Sequence, residues 1–170
     1  MRPTWTEYFL KLAELASTRS TCVRANVGCV LVKDRRVLAT GYNGSVPGAT
    51  HCEDVGCLMV DGHCLRTVHS EMSALLSSAK YGTSVAGATC FVSHFPCFSC
   101  FKALASAGIS KIIYQKVYLN GITREVYQAM LAMLDDRPGR SNGILKLEDA
   151  TGVDFLSLAP KFEGDKVVGI

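Results

Sequence analysis

The sequence predicts an α/β fold, and three observations lead to this prediction. Apolar runs typical of strands alternate with amphipathic patterns typical of helices along most of the chain. A chain of 170 residues with 48% hydrophobic residues is long enough for one well-packed domain and short for two. No repeat or low-complexity segment interrupts it. We therefore expect a single domain over residues 1–170, with its core over about 4–134 and an irregular segment over 135–170.

The N-terminal part of the chain predicts one helix followed by a hairpin. Thr4 and Glu7 have the spacing of a capping box, so a helix begins there. Its amphipathic pattern has six apolar members: Trp5, Tyr8, Phe9, Leu12, Leu15 and Ala16. Residues 27–32 and 37–42 then read as two strands joined by the polar turn 33–36. The roughly 25 residues after this hairpin form a loop, and such a length is uncommon without a function or an internal staple.

From His69 onwards, helices and strands alternate. The predicted helices are 69–76, 97–107 and 122–134, and the predicted strands are 88–93, 111–114 and 144–147. Gly108 ends the second of these helices, because glycine readily adopts the left-handed conformation that follows a helix C-terminus. The charged turn 135–140 ends the third. Periodicity is weak over 148–170, where we expect irregular structure or contacts with another subunit.

Composition limits the classes of function. A net charge of +3 suits a small anionic substrate and does not demand a nucleic-acid partner. The N-terminal helix pattern argues against a signal peptide, and no apolar run approaches the length of a membrane span, so we expect a cytoplasmic protein without a membrane partner. In reducing surroundings the eight cysteines favour metal binding or burial over disulfides. Cys29 and Cys90 lie within apolar strand patterns and are expected in the core.

Two short motifs carry the candidate chemistry. The first is His69-Ser70-Glu71, and the second, Pro96-Cys97-Phe98-Ser99-Cys100, begins 25 residues after Glu71. One imidazole and two thiolates make three protein ligands. Tetrahedral zinc with three protein ligands keeps a fourth position for water, as catalytic rather than structural sites do. We therefore predict a catalytic zinc site at His69, Cys97 and Cys100.

The predicted local structure agrees with this site. Pro96 suits the first turn of a helix, and Cys97 and Cys100 are three residues apart and so share one helical face. The positive end of the helix dipole favours their ionised form. His69 opens a second predicted helix, so two helix N-termini can converge on one ion. Residues two apart do not face the same way on a helix, so the geometry at the helix entrance must direct Glu71. A carboxylate that reaches the bound water serves as general acid and base.

Other interpretations of these motifs stay open from the residues alone. A Cys-x-x-Cys pair by itself can be redox-active, and a His-x-Glu pair by itself can be no more than part of a helix. A third interpretation is a non-catalytic zinc module for interaction or nucleic-acid binding. It predicts a closed site with a fourth protein ligand and no room for water.

The long loop predicts a second, structural zinc site. Its potential ligands are His51, Cys52, Cys57, His63 and Cys64, and Cys22 precedes the first strand nearby. Metal binding would order a loop of this length directly. One four-ligand set is Cys22, Cys52, Cys57 and Cys64, with His51 and His63 in reserve. The alternative is that several of these residues are free thiols or surface histidines.

Several stretches carry a family resemblance: residues 5–22, Gly41-Tyr42-Asn43-Gly44 with Pro47-Gly48, His51-Cys52, Gly56-Cys57 and the two motifs above. His-x-Glu followed by Pro-Cys-x-x-Cys is the signature of zinc-dependent nucleobase deaminases. Over about residues 4–120 the chain resembles the deoxycytidylate (dCMP) deaminase family. Departures are Ser70, where relatives usually have alanine, and Phe101, where they have a small residue. Both positions lie beside the pocket in the family, so they bear on base and sugar selectivity.

The resemblance implies a fold, a reaction and roles for residues. The fold is a cytidine-deaminase-like three-layer αβα sandwich around a mixed, roughly five-stranded sheet. The reaction is the zinc-dependent hydrolysis of dCMP to dUMP and ammonia, which supplies dUMP for thymidylate synthesis. The resemblance also implies a homo-oligomer, often a hexamer, activated by dCTP and inhibited by dTTP. It carries over His69, Cys97 and Cys100 as zinc ligands, Glu71 as proton shuttle and Asn43 as part of the loop lining the nucleotide.

Substrate contacts and the substrate itself are less determined by the sequence. The basic residues that can pair with a 5′-phosphate are Arg24, Arg66, Lys102 and Arg124, of which we favour Arg24 because it lies in the family-like region. Ser70 and Tyr118 are further candidates for the substrate pocket. The alternative function is a related deaminase acting on dCTP, guanine or tRNA adenosine. A tRNA enzyme would be expected to have a more basic surface than a net charge of +3 suggests.

Overall fold

A computed structural model describes residues 1–117, 122–134, 146–153 and 160–169 of the chain. The helices in these ranges are α1 (Trp5–Ser17), α2 (Cys52–Val55), α3 (Ser70–Lys80), α4 (Phe98–Ser106) and α5 (Arg124–Leu134). The strands are β1 (Gly28–Lys33), β2 (Arg36–Tyr42), β3 (Met59–Val60), β4 (His63–Cys64), β5 (Thr89–His94), β6 (Lys111–Lys116), β7 (Lys146–Asp149), β8 (Lys161–Glu163) and β9 (Lys166–Gly169). Among the described residues, none of the helices has the length and apolar character needed to cross a membrane.

The main sheet is mixed and has five strands in the order β2-β1-β5-β6-β7. β1 pairs antiparallel with β2 and β5, whereas β5, β6 and β7 run parallel. This arrangement confirms the predicted mixed five-stranded sheet. Because successive strand residues point to opposite faces, each central strand contributes to two hydrophobic layers.

Helices cover both faces of the sheet. On one face α1 packs Phe9, Leu10 and Ala13 against a buried group from the strands, namely Val30, Val32, Phe91 and Ile113. On the other face α3, α4 and α5 pack against the alternate strand residues, among them Cys29, Leu31, Cys90, Val92 and Ile112. Cys29 and Cys90 are fully buried, as predicted. The predicted three-layer αβα sandwich is therefore confirmed.

The N-terminal helix begins as predicted but buries a different face. Thr4 and Glu7 form the capping box, with the Glu7 amide donating to Thr4 Oγ1 at 3.2 Å. Trp5, Tyr8 and Leu15, expected on the apolar face, are exposed. The helix lies so close to β1 that a Cβ on Gly28 would be 1.9 Å from the Ala13 carbonyl oxygen. This close approach leaves only a narrow stripe of the helix in contact with the sheet.

The β1–β2 hairpin forms where the sequence predicts it. Asp34 and Arg35 occupy its turn with φ values of 51° and 63°. Positive φ at both central residues is characteristic of the type I′ turns that match strand twist. Short polar side chains such as Asp tolerate this conformation better than most.

Irregular structure is expected over 148–170, but the described part of that range contains the strands β8 and β9, so the expectation is wrong there. β7 extends the main sheet at its edge, two residues later than the predicted strand 144–147, of which 144–145 lie outside the described residues. β8 and β9 form a hairpin that packs on α5, where the Tyr127 and Phe162 rings meet edge to face at 6.1 Å. Strands of three or four residues with partly exposed side chains are too short to produce a recognisable period.

Candidate metal centre

Two helix N-termini meet at the carboxyl end of β5. His69 is the N-cap residue of α3, and Cys97 is the N-cap residue of α4. Cys100 lies in the first turn of α4. The Sγ atoms of Cys97 and Cys100 are each 3.5 Å from His69 Nδ1. The structure thus brings the three predicted ligands together, and all three ligand atoms lie within 4.8 Å of one another.

The main sheet determines the position of α3. A Cβ on Gly41 of β2 would be 2.1 Å from the Ser70 carbonyl oxygen and 2.5 Å from the Ala74 amide nitrogen. The absence of a side chain at Gly41 therefore lets the first turn of α3 lie directly against β2. This contact positions His69, the N-cap residue of α3, close to the start of α4.

The distances between the three ligands fit zinc. With Zn–S near 2.3 Å and Zn–N near 2.0 Å, tetrahedral geometry separates sulfur from nitrogen by about 3.5 Å. The two measured S···N distances are both 3.5 Å. Among the described residues no fourth His, Cys, Asp or Glu shares this spacing. The donor set is therefore that of a site with one coordination position left for water.

The electrostatics of the ligands favour a thiolate beside an imidazolium. Hydrogen bonds from Cys100 and His69 lower the pKa of the Cys97 thiol to about 4. The hydrogen bond with Cys97 raises the pKa of His69 in turn. The same contact with Cys97, together with burial, raises the pKa of Cys100. Metal ligation requires a deprotonated thiol, and the N-terminal end of α4 supplies one at Cys97.

Glu71 lies beside the three ligands and is not one of them. It is the second residue of α3 and is buried at 4% exposure. Its Oε2 accepts a hydrogen bond of 2.9 Å from Ser70 Oγ, which is itself fully buried. Burial raises the pKa of Glu71. A carboxyl group whose pKa is raised in this way is better able to hold a proton, as a general acid and base must.

A cavity of about 430 Å³ opens in front of these residues, a size suited to a small-molecule ligand. Its walls include the side chains of Arg24, His63 and His94, while Glu71 is the one carboxylate among its lining residues. The cavity wall therefore carries basic side chains, and its one carboxylate among the lining residues lies next to the candidate metal ligands.

Asn43 forms part of the cavity wall and shapes the segment opposite. Its Oδ1 accepts from the Val27 amide at 2.8 Å, and its Nδ2 donates to the Ala25 carbonyl at 2.7 Å. Ala25 and Val27 also line the cavity. The buried Asn43 thus holds the segment that carries Arg24 against the end of β2.

The four basic residues predicted as candidates to bind the 5′-phosphate lie in different parts of the structure. Arg24 lines the cavity, whereas Arg66, Lys102 and Arg124 do not. Arg66 donates to Thr50 Oγ1 at 3.3 Å, and Lys102 lies 4.9 Å above the Phe98 ring. Arg124 lies 4.0 Å above the Phe162 ring. Tyr118 lies outside the described residues.

A second cluster of ligands occupies the long loop. The Sγ atoms of Cys52, Cys57 and Cys64 lie within 4.8 Å of one another, and Cys52 and Cys64 are 3.7 Å apart. Tetrahedral zinc separates two thiolates by about 3.8 Å, so this set also fits the metal. Cys22, expected among these ligands, is not in the cluster and lines the cavity in front of His69 instead.

The two reserve histidines have different surroundings. His51 is the N-cap residue of α2, next to Cys52, and among the described residues its buried Nδ1 has no hydrogen-bond partner. His63 is exposed and lines the cavity. Neither histidine belongs to the set whose ligand atoms lie within 4.8 Å of one another. An unpartnered buried nitrogen is costly unless something binds it, so His51 is the better of the two as a candidate fourth ligand. Burial raises the pKa of Cys64, but hydrogen bonds, led by that from Thr67, outweigh it and bring the pKa to about 6.

Sequence reasoning missed His94 as a residue of the site. It ends β5, three residues before Cys97, and lines the cavity half-buried with its Nδ1 2.9 Å from Ser93 Oγ. The signal was available, because functional residues concentrate at the carboxyl ends of parallel strands. His94 lies just outside the Pro-Cys-x-x-Cys motif, so the motif alone does not indicate it.

A mixed-sheet α/β sandwich with an open three-ligand site is the arrangement of a zinc-dependent enzyme. Residues 3–116 match the model of the cytidine and deoxycytidylate deaminase zinc-binding region. The chain therefore belongs to the cytidine and deoxycytidylate deaminase family.

Relatives and a solved structure agree with this membership. ComE operon protein 2 of Bacillus subtilis is 46% identical over 117 residues, and the match covers 69% of this chain and 62% of that protein. The deoxycytidylate deaminase of Mycobacterium phage D29 is 40% identical over 127 residues, covering 68% of this chain and 97% of that protein. The chain thus spans less than two thirds of the Bacillus subtilis relative.

The fold comparison includes a ligand-bound protein. The dCMP deaminase from the cyanophage S-TIM5, solved in complex with dCMP and dUMP, superposes with a TM-score of 0.65 at 33% identity. The superposition covers 86% of this chain and 98% of that one.

Proposed function

We propose that this chain hydrolyses dCMP to dUMP and ammonia. The observation that carries the proposal is the open set of His69, Cys97 and Cys100 with the buried Glu71 beside it. The likeness to phage deoxycytidylate deaminases supports dCMP as the substrate. A zinc ion held by His69, Cys97 and Cys100 would lower the pKa of a bound water, so that hydroxide is available as a nucleophile at neutral pH.

Glu71 moves the protons in this reaction. Its carboxylate takes one proton from the attacking water and delivers it to the ring nitrogen of the base. It then takes the second proton, from the hydroxyl group now on the ring carbon, and gives it to the amine, which leaves as ammonia while the carbonyl forms. The raised pKa of the buried carboxyl suits both the accepting and the donating step. Ser70 Oγ, bonded to Oε2, fixes the orientation of the carboxyl group. Ser70 therefore acts on the substrate through Glu71.

The walls of the cavity suit an anionic nucleotide. Arg24 can bind the 5′-phosphate, since a guanidinium group offers two parallel hydrogen bonds to phosphate oxygens. Asn43 keeps Arg24 and its neighbours in place through the backbone of Ala25 and Val27. These residues together select a nucleotide over a free base.

A second zinc ion belongs to the proposal. Cys52, Cys57 and Cys64 provide three thiolate ligands. We propose His51 as the fourth, because its buried Nδ1 has no hydrogen-bond partner among the described residues. This four-ligand set is of the structural kind and has no position left for water. Metal analysis of the purified protein is expected to give two zinc ions per chain.

The resemblance to the family is the basis for our proposals on how this protein is regulated, how it assembles and where it is located. We propose that the enzyme supplies dUMP for thymidylate synthesis, with dCTP as activator and dTTP as inhibitor. We also propose a homo-oligomer, with a hexamer favoured, and a cytoplasmic location, since all eight cysteines are free and the zinc ligands require reduced thiols. The pocket is sized for a small molecule rather than a nucleic-acid strand.

Glu71→Gln tests the reaction. The variant is expected to keep its zinc and to lose at least about a hundredfold in dCMP turnover, because an amide cannot cycle a proton. Ammonia release gives the rate and metal analysis gives the zinc content. Full activity in this variant would exclude Glu71 as the shuttle.

A substrate panel separates dCMP from the alternatives. Ammonia release is measured with dCMP, dCTP, guanine and a tRNA that carries the target adenosine. We expect dCMP to give the highest kcat/KM. Preferential turnover of another member of the panel would assign the site to that substrate instead.

A further inference from the structure

The short hairpin β3–β4 lies between the cysteine cluster and the cavity. Cys64 belongs to the cluster and also lines the cavity, and His63 beside it lines the cavity as well. The hairpin turns at Asp61 and Gly62, whose φ values are 48° and 78°. Movement of this hairpin therefore changes the shape of the cavity wall.

The hairpin also holds Arg24. The Arg24 guanidinium donates to the Gly62 carbonyl at 3.0 Å and lies 3.5 Å from Met59 Sδ. Within the described part of the chain, no carboxylate forms an ion pair with Arg24. Arg24 is solvent-exposed, so its position depends on the backbone of the hairpin turn more than on packing.

The hairpin has little stability of its own. Each strand has two residues, and Met59 and Val60 are 45% and 44% exposed. A two-stranded hairpin without a hydrophobic face is marginal in water. The cysteine cluster is the feature that fixes it, because Cys64 of β4 meets Cys52 of α2 at 3.7 Å and Cys57 joins them.

We infer that metal in the Cys52–Cys57–Cys64 cluster determines the preference for a nucleotide over a nucleoside, by holding the hairpin turn that positions Arg24. The inference rests on the proposed function, in which Arg24 binds the 5′-phosphate. With the metal in place, the Gly62 carbonyl anchors the guanidinium in the cavity wall. Without it the hairpin samples other conformations, and the phosphate contact is lost for the corresponding fraction of molecules. The part of the cavity that would bind the base lies next to His69, Glu71 and Cys97. Because these residues belong to α3 and α4, this part keeps its geometry when the cysteine cluster loses its metal.

Cys57→Ser in the zinc-loaded protein tests this coupling. Metal analysis is expected to show one zinc ion fewer. Calorimetric binding of dUMP, which involves no turnover, is expected to weaken about tenfold, while binding of deoxyuridine changes by less than about twofold. The matched control is Leu58→Ser, an exposed neighbour in the same loop, which should retain both metal ions and both affinities.

Arg24→Gln completes a double-mutant cycle. This variant should weaken dUMP binding as Cys57→Ser does. The double variant should bind dUMP no more weakly than Arg24→Gln alone, because both changes remove the same contact between Arg24 and the phosphate. Additive losses, equal losses for dUMP and deoxyuridine, or unchanged dUMP binding after the metal is gone would each overturn the inference.

The wild-type protein provides the same comparison if Cys57→Ser does not fold. Zinc is removed stepwise with a chelator, and the affinities for dUMP and deoxyuridine are measured at each step to give their ratio. The inference expects the ratio to have fallen once both zinc ions are lost, because loss of the ion at His69 weakens the binding of both ligands alike. A ratio that stays constant until the protein is free of zinc would overturn it. Failure of the proposed function looks different, because dCMP would then not be deaminated by the fully loaded protein.

Discussion

Asn43 shows how one buried side chain shapes the pocket. Both ends of its amide bind backbone groups of the segment opposite, at 2.8 Å to the Val27 amide and 2.7 Å to the Ala25 carbonyl. A family resemblance places this residue near the nucleotide. The structure adds that its amide supports the wall that carries Arg24.

Asn43→Ala is expected to destabilise the protein. The change leaves the Val27 amide and the Ala25 carbonyl without their partner, at a cost of about 1–3 kcal/mol in the free energy of unfolding. Urea denaturation measures this cost. The control is Asn26→Ala, an exposed amide in the same segment, which should change the free energy by less than about 0.5 kcal/mol. Equal effects of the two changes would contradict the role of Asn43.

At the residue scale, the structure brings together the predicted ligands that belong to local motifs. His69, Cys97 and Cys100 were predicted together because each belongs to a short motif that starts a helix. The second cluster was harder, because its ligands lie in a loop without periodicity. Cys22 has the right residue type but faces the cavity, and only the three-dimensional path of the loop decides this.

Among the elements, α3 lies directly against the main sheet at its first turn. Its first turn lies on Gly41, where any side chain would overlap the Ser70 carbonyl. The same turn carries His69 and Glu71. The position of the proposed metal site therefore depends on one glycine in β2.

Gly41→Ala is expected to weaken zinc binding and stability together. The added methyl group would push the first turn of α3 away from β2, at a cost of about 1–3 kcal/mol for overpacking. Thermal unfolding and competition with a zinc chelator measure the two effects. Gly169→Ala is the control, because its Cβ would lie at an ordinary 3.6 Å from the Lys161 side chain. Unchanged zinc affinity in Gly41→Ala would show that α3 is held elsewhere.

Elements with a strong period were predicted well. The five main-sheet strands and the four longer helices have enough residues to show alternation or helical spacing. The exposed face of α1 was misjudged, because Trp5 and Tyr8 follow the helical period yet lie beyond the edge of its contact with the sheet. The β8–β9 hairpin was missed, since its strands have only three and four residues.

At the scale of the molecule, two candidate ligand clusters of the described residues border the same cavity. The cluster of His69, Cys97 and Cys100 lies at the start of two helices of the sandwich, and the cluster of Cys52, Cys57 and Cys64 lies in the long loop. Cys64 belongs to the loop cluster and lines the same cavity as His69. Removal of metal should therefore affect the loop before it affects the sheet.

Chelation is expected to open the loop selectively. Without metal, residues 43–69 lose the ligand bonds that order them, whereas the main sheet keeps its buried core. Limited proteolysis of the chelated protein should cut within 43–69, and zinc should restore protection. Cleavage elsewhere, or no change on chelation, would contradict a metal-ordered loop.

The central claim is an open zinc site at the start of two helices, and anomalous diffraction at the zinc absorption edge tests it most directly. The account predicts a peak between His69 Nδ1, Cys97 Sγ and Cys100 Sγ, with water as the fourth ligand beside Glu71. A fourth protein ligand at this peak, or no zinc among these three residues, would contradict it.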